Sequence, residues 1–310
     1  MDILKQTKQL CDQYQIKPAR SRGQNFLIAE KIYQKIIEAA ELKSSDVILE
    51  VGPGFGFLTE LLAKRVKKVI AVEVDDKLME IVQKRFEELK IENVYFINAD
   101  ILKFQISNFK YQKNFKFQVS NYKEILDTKY QIPNTSYKIV ANLPYNITSR
   151  FLRKFLSEVE NKPSEMVLML QQEVAERICA EAGQMSLLAV SAQFYATPKI
   201  IARVPASDFW PSPKVDSAII SLKVKRYKVK SRDVAMPRLD EEKFFKLIKA
   251  GFSAKRKQLA GNLIKNLKIK REEITKILAD CGLKETVRAQ ELSLDDWRKL
   301  FVVLDRQNML

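Results

Sequence analysis

The residue types most suggestive of chemistry stand together in Asn142-Leu143-Pro144-Tyr145, directly after the apolar run Ile139–Ala141. The run reads as a buried strand, and side chains leaving the carboxyl end of such a strand point into the crevice where open α/β sheets bind ligands. The Asn142 amide carbonyl offers an acceptor, the proline holds the residue before it extended, and Tyr145 offers a flat face to a planar substrate. The combination suits a nucleobase. By itself the tetrapeptide is also an ordinary strand end with an Asn-Leu-Pro turn, so its meaning depends on the segments around it.

A second group follows the apolar run Val47–Val51, where Gly52-Pro53-Gly54-Phe55-Gly56 leads into a helical pattern of Leu58, Leu61 and Leu62. Strand, glycine loop and helix in this order form a nucleotide-binding turn, because residues without a Cβ let the backbone approach a ligand closely. The spacing is Gly-x-Gly-x-Gly, with Phe57 where a dehydrogenase has its third glycine. Glu50 stands just before the loop, a poor neighbour for a pyrophosphate and an acceptable one for an amino acid's ammonium group. These features favour S-adenosylmethionine, with S-adenosylhomocysteine as product, over NAD or ATP, and set Gly52 and Gly54 against it. Glu73 ends the next apolar run, where a carboxylate can accept hydrogen bonds from both ribose hydroxyls; it could instead start the helix that follows. Asp100, after the run Asn93–Asn98, can accept from the cofactor's adenine amino group or cap the turn Ile101-Leu102-Lys103.

No histidine occurs anywhere in the chain, which excludes Ser-His-Asp and Cys-His catalysis, the His-Glu-x-x-His metal motif and the zinc deaminase motif. Cys11, Cys179 and Cys281 are far apart with no Cys-x-x-Cys pair, so no disulfide framework, no metal and a reducing, cytoplasmic setting are expected. The amino terminus lacks the apolar core of a signal peptide and no run approaches bilayer-spanning length, so no membrane association is expected. Lys and Arg number 54 against 38 Asp and Glu, and the stretch from Lys223 to Arg271, with 17 basic and 4 acidic residues, holds +13 of the net +16. So localised a charge points to nucleic acid, with Lys255, Arg256 and Lys257 as the leading contacts.

Strand and helix patterns alternate around these residues. Predicted strands at 47–51, 69–73, 93–98, 139–141, 166–170, 200–204 and 217–224 are interleaved with predicted helices at 30–41, 148–156, 173–178 and 187–194. The alternation predicts an α/β fold with a doubly wound, mostly parallel, Rossmann-like sheet over residues 1–230. From 234 to 310 the strand signals cease, which predicts a small, basic, all-helical RNA-binding domain. Residues 105–137 interrupt the pattern with Asn108-Phe109-Lys110-Tyr111-Gln112 and its near copy Asn114-Phe115-Lys116-Phe117-Gln118. These suit either stacking on bases or an amphipathic surface hairpin. Asp208–Asp216 carries two prolines that stiffen a loop exposing Phe209 and Trp210, either to stack on a base or to fold onto the core as a lid.

Five motifs in register carry a resemblance: Gly23-Gln24-Asn25-Phe26-Leu27, Leu49–Gly56, Asn142–Tyr145, Phe209–Ser217 and Arg288–Leu294. Their order is that of the ribosomal RNA adenine dimethyltransferases, and the chain resembles the small-subunit branch of that family over nearly its whole length. The resemblance implies dimethylation of the exocyclic nitrogen of two adjacent adenosines near the end of small-subunit rRNA, in a pre-ribosomal particle and by a monomer. It implies a cofactor site lined by Asn25, Leu27, Gly52, Glu73, Asp100 and Asn142. Asn142 and a backbone carbonyl at Leu143 or Pro144 would aim the amino nitrogen, and Tyr145 and Phe209 would hold the ring. The 105–137 insertion is longer than the usual link in the family and leaves the outline of the substrate entrance open. Macrolide-resistance dimethyltransferases of large-subunit RNA, a non-enzymatic assembly factor and a NAD-dependent dehydrogenase are the rival readings.

Overall fold

The computed structural model describes residues 2–18, 24–104, 136–225, 239–254 and 256–310. The aromatic–lysine repeat at 108–118 and Lys255 lie outside the described residues. In chain order the elements begin α1 (Ile3–Gln13), β1 (Phe26–Leu27), α2 (Glu30–Ala39), β2 (Val47–Val51), α3 (Phe57–Ala63), β3 (Lys68–Glu73), α4 (Asp76–Glu88) and β4 (Val94–Asn98). They continue with β5 (Lys138–Asn142), α5 (Thr148–Arg153), β6 (Glu165–Gln171), α6 (Gln172–Ile178), α7 (Leu187–Tyr195), β7 (Ala196–Val204), β8 (Phe209–Trp210) and β9 (Ser217–Val224). Helices α8 (Glu241–Gly251), α9 (Leu259–Leu267), α10 (Arg271–Asp280) and α11 (Leu294–Arg306) complete the chain.

The main sheet has the order β4-β3-β2-β5-β6-β9-β7. Strands β4 through β6 pair in parallel, and β9 is antiparallel to both β6 and β7. This is the doubly wound, mostly parallel α/β sheet expected. Every residue of β2 and β3 is buried, as in strands covered on both faces. The chain lays down β3 and β4 on one side of β2 and then crosses to β5 on the other, so the winding reverses between β2 and β5 and opens a crevice at their carboxyl ends.

The glycine loop is shaped by packing as well as by ligand access. Gly56 precedes α3 with φ +81°, and a Cβ there would stand 2.7 Å from both Phe86 and Val82 on α4. Only a residue without a side chain lets α4 pack this closely on the loop. Arg85 of α4 then donates to the carbonyls of Phe55 and Gly56, each at 3.2 Å, and pairs with Glu60 at 2.5 Å.

The chain divides into two compact units, Met1–Ala175 with Ala196–Lys225, and Glu176–Tyr195 with Arg226–Leu310. The expected boundary at 230–234 therefore misses a contribution: residues 176–195 belong to the helical unit. The reason is aromatic. Phe194 stacks on Phe244 at 5.0 Å, Tyr195 stacks on Phe245 at 5.8 Å, and the Tyr195 hydroxyl donates to Glu241 at 2.9 Å. Of the expected 105–137 insertion, Tyr137 is buried and donates its hydroxyl to the Asn161 carbonyl at 2.8 Å, whereas residues 105–135 lie outside the described residues. Among the described residues no helix is long and apolar enough to cross a membrane.

Candidate active site

The β2–β5 crevice opens into a cavity of about 130 Å³. Of the expected cofactor residues, Asn25, Leu27, Gly52, Gly54, Glu73 and Asn142 line it. Leu143, Pro144, Tyr145 and Phe209, expected around the target base, line the same cavity. Three distant segments meet there because β1 and β8 form a small antiparallel ribbon in which Phe26 pairs with Trp210 and Leu27 with Phe209. Phe26 packs on Phe55 of the glycine loop with ring centroids 4.6 Å apart, and the Tyr33 hydroxyl donates to the Leu27 carbonyl at 2.8 Å. The expectation that Phe209 is exposed is corrected: it is only 4% exposed, because the ribbon folds it onto the core and leaves it at the cavity wall.

Glu73, at the end of β3, is fixed by backbone amides. Its Oε1 accepts from Val74 and Asp75 at 2.9 and 3.0 Å, and its Oε2 from Gly54 at 3.4 Å. Burial holds its carboxyl above the usual range, and these amides work against the rise. The alternative role of starting the next helix falls to Asp75, whose side chain accepts from the amides of Lys77 and Leu78. Glu50, only 1% exposed, also faces the cavity, and its Oε2 has no hydrogen-bond partner among the described residues. Burial pushes its pKa up to about 8; the nearby Thr59 hydroxyl opposes the shift and the charge of Glu73 adds to it.

Asp100 is not among the residues that line the cavity, and its Oδ1 caps the turn after β4 by accepting from the Leu102 amide at 2.9 Å. The turn it caps is clamped by Lys154, whose amine donates to the carbonyls of Ile101, Leu102 and Phe104. Sequence reasoning also missed Val74, a cavity residue left 61% exposed, for which no pattern in the sequence gives a signal.

Asn142 ends β5 opposite Met169 of β6, and the Leu143 amide donates to the Met169 carbonyl at 3.2 Å. The Leu143 side chain is buried, so only its backbone can serve a ligand. In the helical unit, Arg256 and Lys257 are exposed on the turn between α8 and α9. That turn is held from beneath by buried Asn262, whose amide donates to the carbonyls of Gly251 and Ala254 at 2.7 and 3.1 Å.

Residues 16–306 match the family model described as ribosomal RNA adenine dimethylase. The chain belongs to this family. Among curated members, the ribosomal RNA small subunit methyltransferase A of Dehalococcoides mccartyi is 40% identical over 96% of this chain and 92% of its own. The protein of that name from Alkaliphilus oremlandii is 33% identical over 94% of each chain. Two solved structures each align with 91% of the chain: a dimethyladenosine transferase from Plasmodium falciparum, 26% identical over 98% of its own length with TM-score 0.69, and the 23S rRNA methyltransferase ErmE, 25% identical over its full length with TM-score 0.68. Backbone likeness to a dimethyladenosine transferase and to a large-subunit enzyme is thus nearly equal, whereas the curated relatives at higher identity carry the small-subunit name.

Proposed function

We propose that the chain transfers methyl groups from S-adenosylmethionine to the exocyclic nitrogen of two adjacent adenosines near the end of small-subunit rRNA, twice at each. The observation that carries this reading is that one cavity is lined by the carboxylates Glu50 and Glu73, by Asn142 and by the rings of Tyr145 and Phe209. Two carboxyls, one of them with an unpartnered buried oxygen, suit a ligand of net positive charge and repel the phosphates of NAD or ATP. Glu73 would take the ribose hydroxyls, Glu50 would face the amino acid's ammonium, and exposed Val74 would offer an apolar surface to the adenine. When bound, the cofactor supplies an electrophilic methyl group on a sulfonium.

The residues of the chain then solve an orientation problem. The lone pair of an adenine amino nitrogen is delocalised into the ring, so the nitrogen attacks only if it is turned. The Asn142 side-chain carbonyl accepts one N–H. A backbone carbonyl accepts the other, and Leu143 is the better candidate because the Pro144 carbonyl already accepts from the Ile147 amide at 3.2 Å. Tyr145 and Phe209 fix the plane of the ring. In each transfer the nitrogen lone pair forms the N–C bond as the methyl's bond to sulfur breaks with its electrons left on sulfur, and one N–H proton departs to water. Catalysis by positioning and by aimed acceptors requires no imidazole. The target base must be single-stranded or flipped from its stack. Arg256 and Lys257, with Lys255 beside them in sequence, would hold RNA phosphate. The protein would act as a cytoplasmic monomer on a pre-ribosomal particle.

The test is to incubate the protein with methyl-labelled S-adenosylmethionine and immature small and large subunits, then map the modified nucleosides. Two adjacent dimethyladenosines in small-subunit RNA are expected. Label in large-subunit RNA would move the chain to the resistance branch suggested by its likeness to ErmE, and absence of label would leave an assembly factor.

A further inference from the structure

The motif Phe209–Ser217 touches the cavity at its first residue, yet its last residue, Ser217, is fully buried at the start of β9. Strand register explains what it meets. Asn142 lies opposite Met169 on β6, and Ser217 lies opposite Gln171 on the same strand, so the start of β9 stands beside the turn that leaves β5. The Tyr145 and Ser217 hydroxyls share a hydrogen bond of 2.8 Å in which either can donate. The loop between Phe209 and Ser217 is closed upon itself: Asp216 Oδ1 accepts from the Ala206 amide at 2.8 Å, and the Ser212 hydroxyl donates to the Ala206 carbonyl at 2.9 Å. Ser217 is therefore a fixed point, whereas Tyr145 is half-buried on a single 3-10 turn, Tyr145–Ile147.

We infer that Ser217 is a positioning residue that pins the far end of the Tyr145 ring, and that this matters most for the second methyl transfer to each adenosine. The Tyr145 side chain can swing about its Cα–Cβ bond, and one hydroxyl contact at the far end of the ring decides where the ring lies against a base. Burial lifts the Tyr145 hydroxyl above its usual pKa, with Ser217 opposing and Asp216 adding to the rise, so the hydroxyl acts as a neutral anchor and not as a base. An unmodified amino group has two N–H bonds for the Asn142 and backbone carbonyls to hold. After one methylation a single N–H remains, and orientation depends more on the ring clamp. The second step is the same substitution: the lone pair of the monomethylated nitrogen forms an N–C bond, the methyl's bond to sulfur breaks with its electrons left on sulfur, and the last N–H proton departs to water.

This inference rests on the function proposed above, and one experiment separates the two. Ser217→Ala, Tyr145→Phe and the double variant are compared with the native protein for monomethyl and dimethyl product, for cofactor Kd and for thermal stability. Each single variant is expected to raise the monomethyl-to-dimethyl ratio about fivefold, the worth of one neutral hydrogen bond. The double variant should be no worse than either single one, and cofactor Kd should change by less than about twofold. RNA carrying 2-aminopurine at the target position, bound to cofactor-free protein, should fluoresce more brightly with either variant as stacking loosens. An unchanged ratio with an active native protein would overturn the role of Ser217 alone. A uniform loss of both transfers accompanied by lower stability would reduce Ser217 to a core residue and overturn it as well. Absence of any methyl transfer by the native protein would overturn both readings.

Discussion

Of the residues that line the cavity, Glu50, Gly52, Gly54 and Glu73 at one end come from a single β-α-β stretch, and Tyr145 and Phe209 at the other come from segments far apart in the chain. The first end is made of buried carboxyls and backbone amides, so its geometry is set by two adjacent parallel strands and the loop between them. The second end is made of rings whose positions depend on a β1–β8 ribbon and on the antiparallel register of β9. On the proposed function, the cofactor, the same in every turnover, would meet the locally built end, and a base that enters from an RNA and is held twice would meet the end assembled from several segments.

Variants at the junction and at each end should separate these roles. The largest effect is expected at the junction: Asn142→Ala should lower single-turnover methyl transfer about 100- to 1,000-fold, the scale of losing one aimed polar group at a reacting centre. Cofactor and RNA Kd should stay within about tenfold, as checked by calorimetry and filter binding. At the carboxylate end, Glu73→Ala should weaken cofactor binding about 10- to 100-fold, because charge-assisted hydrogen bonds are lost. Its effect on RNA binding should be small.

Glu50 gives a smaller, pH-dependent effect. Its folded pKa is raised to about 8, so between the ordinary carboxylate range and that value the folded, ligand-free protein holds a proton that the unfolded chain has released. Stability from this group is therefore fully present at low pH and is lost as pH rises through about 8; Glu50→Gln should flatten that fall in Tm. An ammonium ligand favours the ionised carboxylate, so cofactor affinity should rise several-fold from about pH 6 to about pH 7.5 in the native protein and not in Glu50→Gln. The smallest effect lies outside the cavity: neutralising Arg256 and Lys257 should reduce the log–log salt slope of RNA binding by about 0.7 per charge, measured by titration at several ionic strengths.

The same comparison explains what could be read from the sequence. The glycine loop and Glu73 were legible because strand, loop and helix follow one another and their chemistry is local. Asn142–Tyr145 and Phe209 were legible as motifs, but the burial of Phe209 was not, since it follows from pairing with Leu27. The contact between Tyr145 and Ser217 was invisible because it is created by register across β5, β6 and β9. At Asp100 the residue type allowed two roles, and the bond from the Leu102 amide to its Oδ1 shows the capping one, which a carboxylate at a turn finds close at hand. The membership of residues 176–195 in the helical unit rests on aromatic contacts between Phe194, Tyr195, Phe244 and Phe245, which no local pattern announces.

The central claim is that the two ends form one continuous site meeting at Asn142. It is tested most directly by the affinity of a bisubstrate ligand, an adenosine tethered through its amino nitrogen to the methyl position of the cofactor. Such a ligand should bind at least about 100-fold more tightly than S-adenosylhomocysteine, the lower range for mimics of a transition state, and Tyr145→Ala should cancel much of the gain. An affinity equal to that of S-adenosylhomocysteine, unchanged by Tyr145→Ala, would contradict the account.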